Sequence, residues 1–170
     1  MTMQYDVKQG HIDQSGYLVK FATRVKGVSY VGTATAGFVV LFDTLTTPVS
    51  SSVTYGRSGT TVTVTKVAHG LSTGDKIGIH FESGTGGAAT DGNYTVTKLT
   101  ADTFTVTDIN TGTITGSPTA VYSTKWLLTY NSSAADTYNN APIIPGEGVR
   151  VDNGVYAYMV NVEATQIYYG

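Results

Sequence analysis

The chain of 170 residues contains no cysteine. That absence removes disulfide bridges, thiolate nucleophiles and cysteine-based metal sites together. Charge is scarce as well: Asp, Glu, Lys and Arg make up 13% of the residues, against ~25% in ordinary globular chains. With a net charge of −2 the electrostatic footprint for duplex nucleic acid is missing, so no nucleic-acid partner is expected. No apolar run approaches the ~20 residues of a membrane span, so no membrane partner is expected either. The opening stretch, Met1-Thr2-Met3-Gln4-Tyr5-Asp6, lacks the basic and apolar regions of a signal peptide, and the expectation is a product made in the cytoplasm that enters no secretory route. A helical repeat of apolar residues longer than two turns is absent throughout.

What is present is glycine, threonine and two-residue alternation. Tyr17–Thr23 and Val25–Val31 are rich in β-branched and aromatic residues, as half-buried strands are. Ala36–Phe42 is apolar throughout, which predicts a strand covered on both faces. Asp43–Ser52 turns polar, carries Pro48 and ends in three serines, a linker signature. Thr60–Val67 then alternates valine with threonine, and Lys76–Phe81, Asn93–Leu99 and Thr103–Thr107 follow as short strands. Thr100-Ala101-Asp102 reads as a hairpin turn, and Ser83–Gly92 as a glycine-rich loop. Gly112, Gly116 and Pro118 mark a second boundary, beyond which Val121–Tyr130 reads as one long strand. The stretch 131–140 is a loop or a single helical turn, and 141–148 is extended and stiffened by its prolines. Asp152-Asn153-Gly154 between Val149–Val151 and Val155–Val160 predicts a type I′ hairpin, and Val162–Tyr169 a final strand. This reading is all-β: residues 1–50 and 120–170 form an outer domain into which 53–118 is inserted. A continuous sandwich with one long hairpin excursion is the competing layout.

The search for chemistry returns no catalytic, cofactor-binding or metal-binding residue. His11, His69 and His80 are the only nitrogen donors for a zinc site, too few and too scattered for a tetrahedral set. Ser58 and Ser83 lie beside glycine without forming a nucleophile elbow. The aspartates Asp13, Asp43, Asp75, Asp91, Asp102, Asp108, Asp136 and Asp152 adjoin expected turns, where local Asx turns explain them. Gly84–Ala89 resembles a phosphate cradle, but no Lys-Ser/Thr pair and no helix follow it. The expectation is therefore not an enzyme, with no cofactor. Surface remains. Tyr156 and Tyr158 share one strand face, and Ile167, Tyr168 and Tyr169 end the chain. These five form the candidate interface, tyrosine being both a good strand residue and a good interface residue. The C-terminal strand is expected to be an edge, buried by self-association or on a partner.

Two resemblances bear on function. Val67-Ala68-His69-Gly70-Leu71-Ser72-Thr73-Gly74-Asp75-Lys76-Ile77, continued by Gly92-Asn93-Tyr94-Thr95-Val96 and Thr103-Phe104-Thr105-Val106, resembles a small β-barrel module of phage virion proteins. That module is similar to the FCCH part of ubiquitin-activating enzymes and is itself non-catalytic. The flanks resemble small structural proteins of marine short-tailed cyanophages. The carrying residues are Thr23–Val28, Thr35–Leu41 and Ile144-Pro145-Gly146-Glu147-Gly148-Val149-Arg150 leading to Ile167-Tyr168-Tyr169-Gly170. The resemblance implies a knob-like decoration protein on the capsid exterior of the virion, binding the major capsid protein, and carries over no binding residues. With it the expected architecture is an outer β-sandwich formed by both chain ends and a small inserted β-barrel module. The rivals are a tail or neck adaptor and a carbohydrate-binding module that would stack a host-surface glycan on Trp126.

Overall fold

The computed structural model describes residues 7–134, 139–142 and 144–170. Part of the stretch read as a loop or helical turn, 135–138, therefore lies outside the described residues. The described residues contain strands and no helix. Strands β1 (Lys8–Ile12), β2 (Gly16–Val19), β3 (Thr23–Gly32) and β4 (Gly37–Asp43) come first. They are followed by β5 (Thr54–Ser58), β6 (Thr61–Thr65), β7 (Lys76–Phe81), β8 (Gly92–Thr95), β9 (Thr97–Lys98), β10 (Thr103–Thr107) and β11 (Ala120–Ser123). The chain ends with β12 (Trp126–Ser132), β13 (Asn139–Asn140), β14 (Val149–Val151), β15 (Val155–Val160) and β16 (Val162–Tyr169). These divide into two compact units: Met1–Thr47 with Leu127–Gly170, and Pro48–Trp126. The serine run Ser50–Ser52 and the turn Gly116–Pro118, read as boundaries, both lie inside the second unit.

The first unit is an antiparallel sandwich. One sheet runs β1-β16-β3-β13, with β14 also paired to β3; the other runs β12-β4-β15-β2. Alternation sends Val28 and Ile167 of the first sheet, and Val39, Leu41, Val155 and Ala157 of the second, into one core, and a register shift in β3 opposite Tyr168–Tyr169 turns Val25 to the same side. The opposite face of β4, carrying Phe38, Val40 and Phe42, is buried too, as its unbroken apolar run requires.

Three expectations fail here. First, β14 and β15 do not form a hairpin: β14 pairs with β3 in one sheet, while β15 pairs with β4 and β2 in the other. The Asp152-Asn153-Gly154 turn crosses between sheets, and neither Asn153 nor Gly154 has the positive φ of a type I′ turn. Gly154 is needed for close approach instead, since a Cβ there would stand 2.8 Å from the Val19 carbonyl oxygen. Second, β16 is no edge, because β1 adds to its free side in register from Lys8 opposite Tyr169 to Ile12 opposite Thr165. Third, Val121–Tyr130 is two strands broken at Thr124–Lys125, so β11 and β12 join different sheets.

The second unit has a four-stranded sheet, β5-β6-β10-β9, and a three-stranded one, β11-β7-β8. Val62 and Val64 of β6, Phe104 and Val106 of β10, and Ile77, Ile79 and Phe81 of β7 fill the space they enclose. Threonines take the other face, with Thr61, Thr63 and Thr65 opposite Thr107, Thr105 and Thr103. The expected barrel does not close into continuous ladders. Between β5 and the segment leading into β11 there are only isolated bridges, Thr54 to Thr119 and Arg57 to Ile114. Ser117 lies in the left-handed region and Pro118 has no N–H, so neither can continue a strand.

Candidate functional site

The residue types that carry chemistry elsewhere serve here as acceptors for loop backbone. Asp43, fully buried at the end of β4, accepts the N–H groups of Asp152 (2.9 Å), Asn153 (2.8 Å) and Gly154 (3.3 Å). Burial pushes its pKa up, but these backbone bonds and the Asn153 side chain outweigh that and hold it below the ordinary value. Asp75 accepts the Ser72 N–H, Asp102 the Ala68 N–H, and Asp91 the Phe81 N–H. Asp108 accepts those of Thr90 and Asn110. Of these bonds, that of Asp108 with Asn110 has the two-residue spacing of a local Asx turn, whereas Asp43 reaches more than a hundred residues along the chain.

The histidines follow the same pattern. His69 Nδ1 accepts the Leu71 N–H at 3.0 Å, so Nε2 carries the hydrogen and donates to the Thr100 carbonyl at 3.1 Å. Its ring stands edge-on to Phe104 at 5.1 Å. His80, buried on β7, places Nδ1 2.7 Å from Asp91. His11 is exposed on β1. Among the described residues no group of three or more His, Asp or Glu could hold a metal ion.

Beneath the glycine-rich loop, Arg57 pairs with Asp108 at 2.5 Å, both side chains nearly or fully buried. Burial raises the Asp108 pKa, but hydrogen bonds from Thr90, Asn110 and Arg57 bring it below the ordinary value. The Tyr94 hydroxyl donates to the Thr90 carbonyl. Burial, with Asp108 and Asp91 adding and Arg57 opposing, pushes its pKa up to about 12, so it stays a donor. The Tyr55 hydroxyl donates to the Glu82 carbonyl at 2.6 Å and accepts the Ala89 N–H at 3.3 Å. Ser58 is exposed at the end of β5 and Ser83 in the loop after β7. Trp126 is half-buried, its backbone gripped by the Asn93 side chain, which accepts from its N–H at 2.8 Å and donates to its carbonyl at 3.0 Å.

The five candidate interface residues do not share a surface. Tyr156 and Tyr158 lie on the side of β15 facing away from the sandwich core; Tyr156 is buried edge-on against Tyr17 at 4.9 Å, and Tyr158 lies 6.2 Å from Phe38. Ile167 is fully buried in the core and offers nothing to a partner. Tyr168 lies over Gly27 on the outer side of the other sheet, and Tyr169 packs against the core with its ring 5.7 Å from Phe21.

A different apolar group emerges. The large apolar side chains left exposed among the described residues are Val7, Phe21, Leu45, Val67, Leu99 and Ile109. The first three stand at one end of the sandwich. Val7 precedes β1, whose Lys8 faces Tyr169; Phe21 leans on Tyr169; Leu45 follows Asp43 and lies beside Gly154. The Leu45 loop is tied by the Thr44 hydroxyl, which donates to the Thr46 carbonyl and accepts its N–H, each at 3.0 Å. A large apolar residue standing alone in a turn, as in Lys20-Phe21-Ala22 and Asp43-Thr44-Leu45, was the available sequence signal. Compared with family models, with curated proteins and with solved structures, the chain matches none.

Proposed function

We propose that the chain is a non-enzymatic structural protein of a phage virion, a decoration on the outer surface of the capsid bound to the major capsid protein. One observation carries the passive-scaffold part of this reading. Asp43, Asp75, Asp91, Asp102, Asp108 and His69 each accept main-chain N–H groups, in loops except for that of Phe81 at the end of β7, the work of holding shape. Catalytic groups need a proton or lone pair directed at a substrate, whereas these are directed at backbone and, for Asp108 and Asp91, also at Arg57 and His80. The virion assignment draws on the resemblance of the flanks and of the His69–Asp75 segment to phage structural proteins. Mass spectrometry of purified particles of the phage encoding the chain, with immunogold labelling, tests it. Label over the capsid is expected. Label confined to the tail transfers the role to a tail or neck adaptor. Particles that never contain the chain overturn the proposal.

A further inference from the structure

We infer that the Val7–Phe21–Leu45 end of the sandwich is the docking surface, and that its seat is an apolar depression rimmed by carboxylates on a different protein. The inference rests on the attachment role above and names the surface and chemistry of that attachment. Charge is segregated along the first unit. Beside the apolar group stand Lys8, Lys20, Arg24 and Arg150, against the exposed carboxylates Glu147 and Asp152, which pair with Arg24 at 3.4 Å and Arg150 at 2.7 Å. The Lys20 ammonium lies 4.6 Å from the Tyr17 ring centre. At the other end of the sandwich the charged side chains among the described residues are Asp13 and Glu163, and no Lys or Arg occurs in its loops. An apolar group with a cationic rim is complementary to an apolar seat with an anionic rim.

A second copy fits poorly in either sense. Tip to tip, four cations against two exposed carboxylates would face the same cationic surplus. Tip to tail, charges would match, but Val7, Phe21 and Leu45 would meet the polar loops around Asp13 and Glu163, where no large apolar side chain is exposed. The loops are also held before any partner arrives. Asp43 ties the 152–154 turn, and the Thr44 hydroxyl ties the Leu45 loop. Preorganised contacts of this kind lower the ordering cost of binding a shaped protein seat, whereas a bilayer demands no fixed geometry.

The test uses the full chain and empty shells assembled from the major capsid protein alone, with binding read by co-sedimentation. Phe21→Ser with Leu45→Ser should weaken binding about 30-fold or more, as loss of two central apolar anchors does. Lys20→Glu should weaken it about fivefold and flatten its dependence on salt. Ile109→Ser, on the second unit, should leave it unchanged, and unaltered thermal melts show that each variant is folded. If the parent chain binds shells and the double variant binds equally, this surface is wrong and the attachment role stands. A parent chain that never binds shells overturns the attachment role and the inference with it. Loss in the double variant of binding to phosphatidylcholine–phosphatidylserine vesicles, or of a concentration-dependent dimer, would replace the protein seat by a bilayer or by a second copy.

Discussion

Replacing Asp43 by Asn tests how the two sheets of the first unit are joined at one end. The carboxylate is fully buried and accepts three main-chain N–H groups, at 2.9, 2.8 and 3.3 Å. Hydrogen bonds to a charged acceptor contribute about 1.5–3 kcal/mol each. An amide that keeps its oxygen on the Asn153 and Gly154 N–H groups turns its NH2 toward the Asp152 N–H, so losing that bond and setting donor against donor should cost about 3 kcal/mol. The pH dependence follows from the same geometry. The folded-state pKa of Asp43 is lowered, so the unfolded chain binds more protons as pH falls. Its stabilisation is complete above the unfolded value near 3.8 and is lost as pH drops through the lower folded value. Urea unfolding of parent and D43N at pH 7 and at pH 3, with hydrogen exchange of the 152–154 amides, measures both effects. The two proteins should converge at the acid end. A D43N protein within 1 kcal/mol of the parent at pH 7, with those amides still protected, would refute the reasoning.

Two predictions concern the second unit. A methyl group at Gly78 would sit 1.8 Å from the Trp126 nitrogen and 2.5 Å from the Lys125 carbonyl carbon. Because backbone atoms cannot swing aside as a flexible side chain can, Gly78→Ala should cost at least ~3 kcal/mol and release the Trp126 amide from Asn93, which its exchange rate will report; unchanged exchange would count against it. Arg57→Met leaves the buried Asp108 carboxylate without its cation. The expected loss is about 3 kcal/mol in denaturant unfolding, at the low end for a broken buried pair because the Thr90 and Asn110 N–H groups remain. A change under 1 kcal/mol would show that those N–H groups alone suffice.

Much of the strand content was legible because alternation with β-branched residues reports it directly. Lys76–Phe81, Thr103–Thr107, Val155–Val160 and Val162–Tyr169 are strands to the residue. Pairing was less legible, since pairing is a long-range property. Asn153-Gly154 carries the composition of a tight hairpin, yet Asp43 supplies acceptors that let the same residues cross between sheets. Nothing in Val162–Tyr169 says that β1, more than 150 residues earlier, will cover its free side. The same limit governs the site. Tyrosine content pointed to contact surface, but a ring on a strand is exposed only if nothing packs over it, and Tyr156 has Tyr17 against it.

The placement of charge connects the fold to the proposed surface. A loop that crosses between sheets leaves the hydrogen-bond ladder, and each buried N–H it carries then needs an acceptor. Water can reach the exposed Asp152 and Asn153, but not the buried Gly154. One carboxylate at the end of β4 meets the need for three successive donors, and those donors offset the burial of its charge. With the crossing fixed from below, the neighbouring turns do not have to fold their own apolar side chains inward to be stable. Phe21 and Leu45 are thereby free to stand in solvent, 52% and 55% exposed, beside a crossing that Asp43 holds. The exposed group is thus tied to the anchor: a chain that kept Phe21 and Leu45 but lost Asp43 would present the same side chains on a disordered turn, and would bind more weakly by the cost of ordering it.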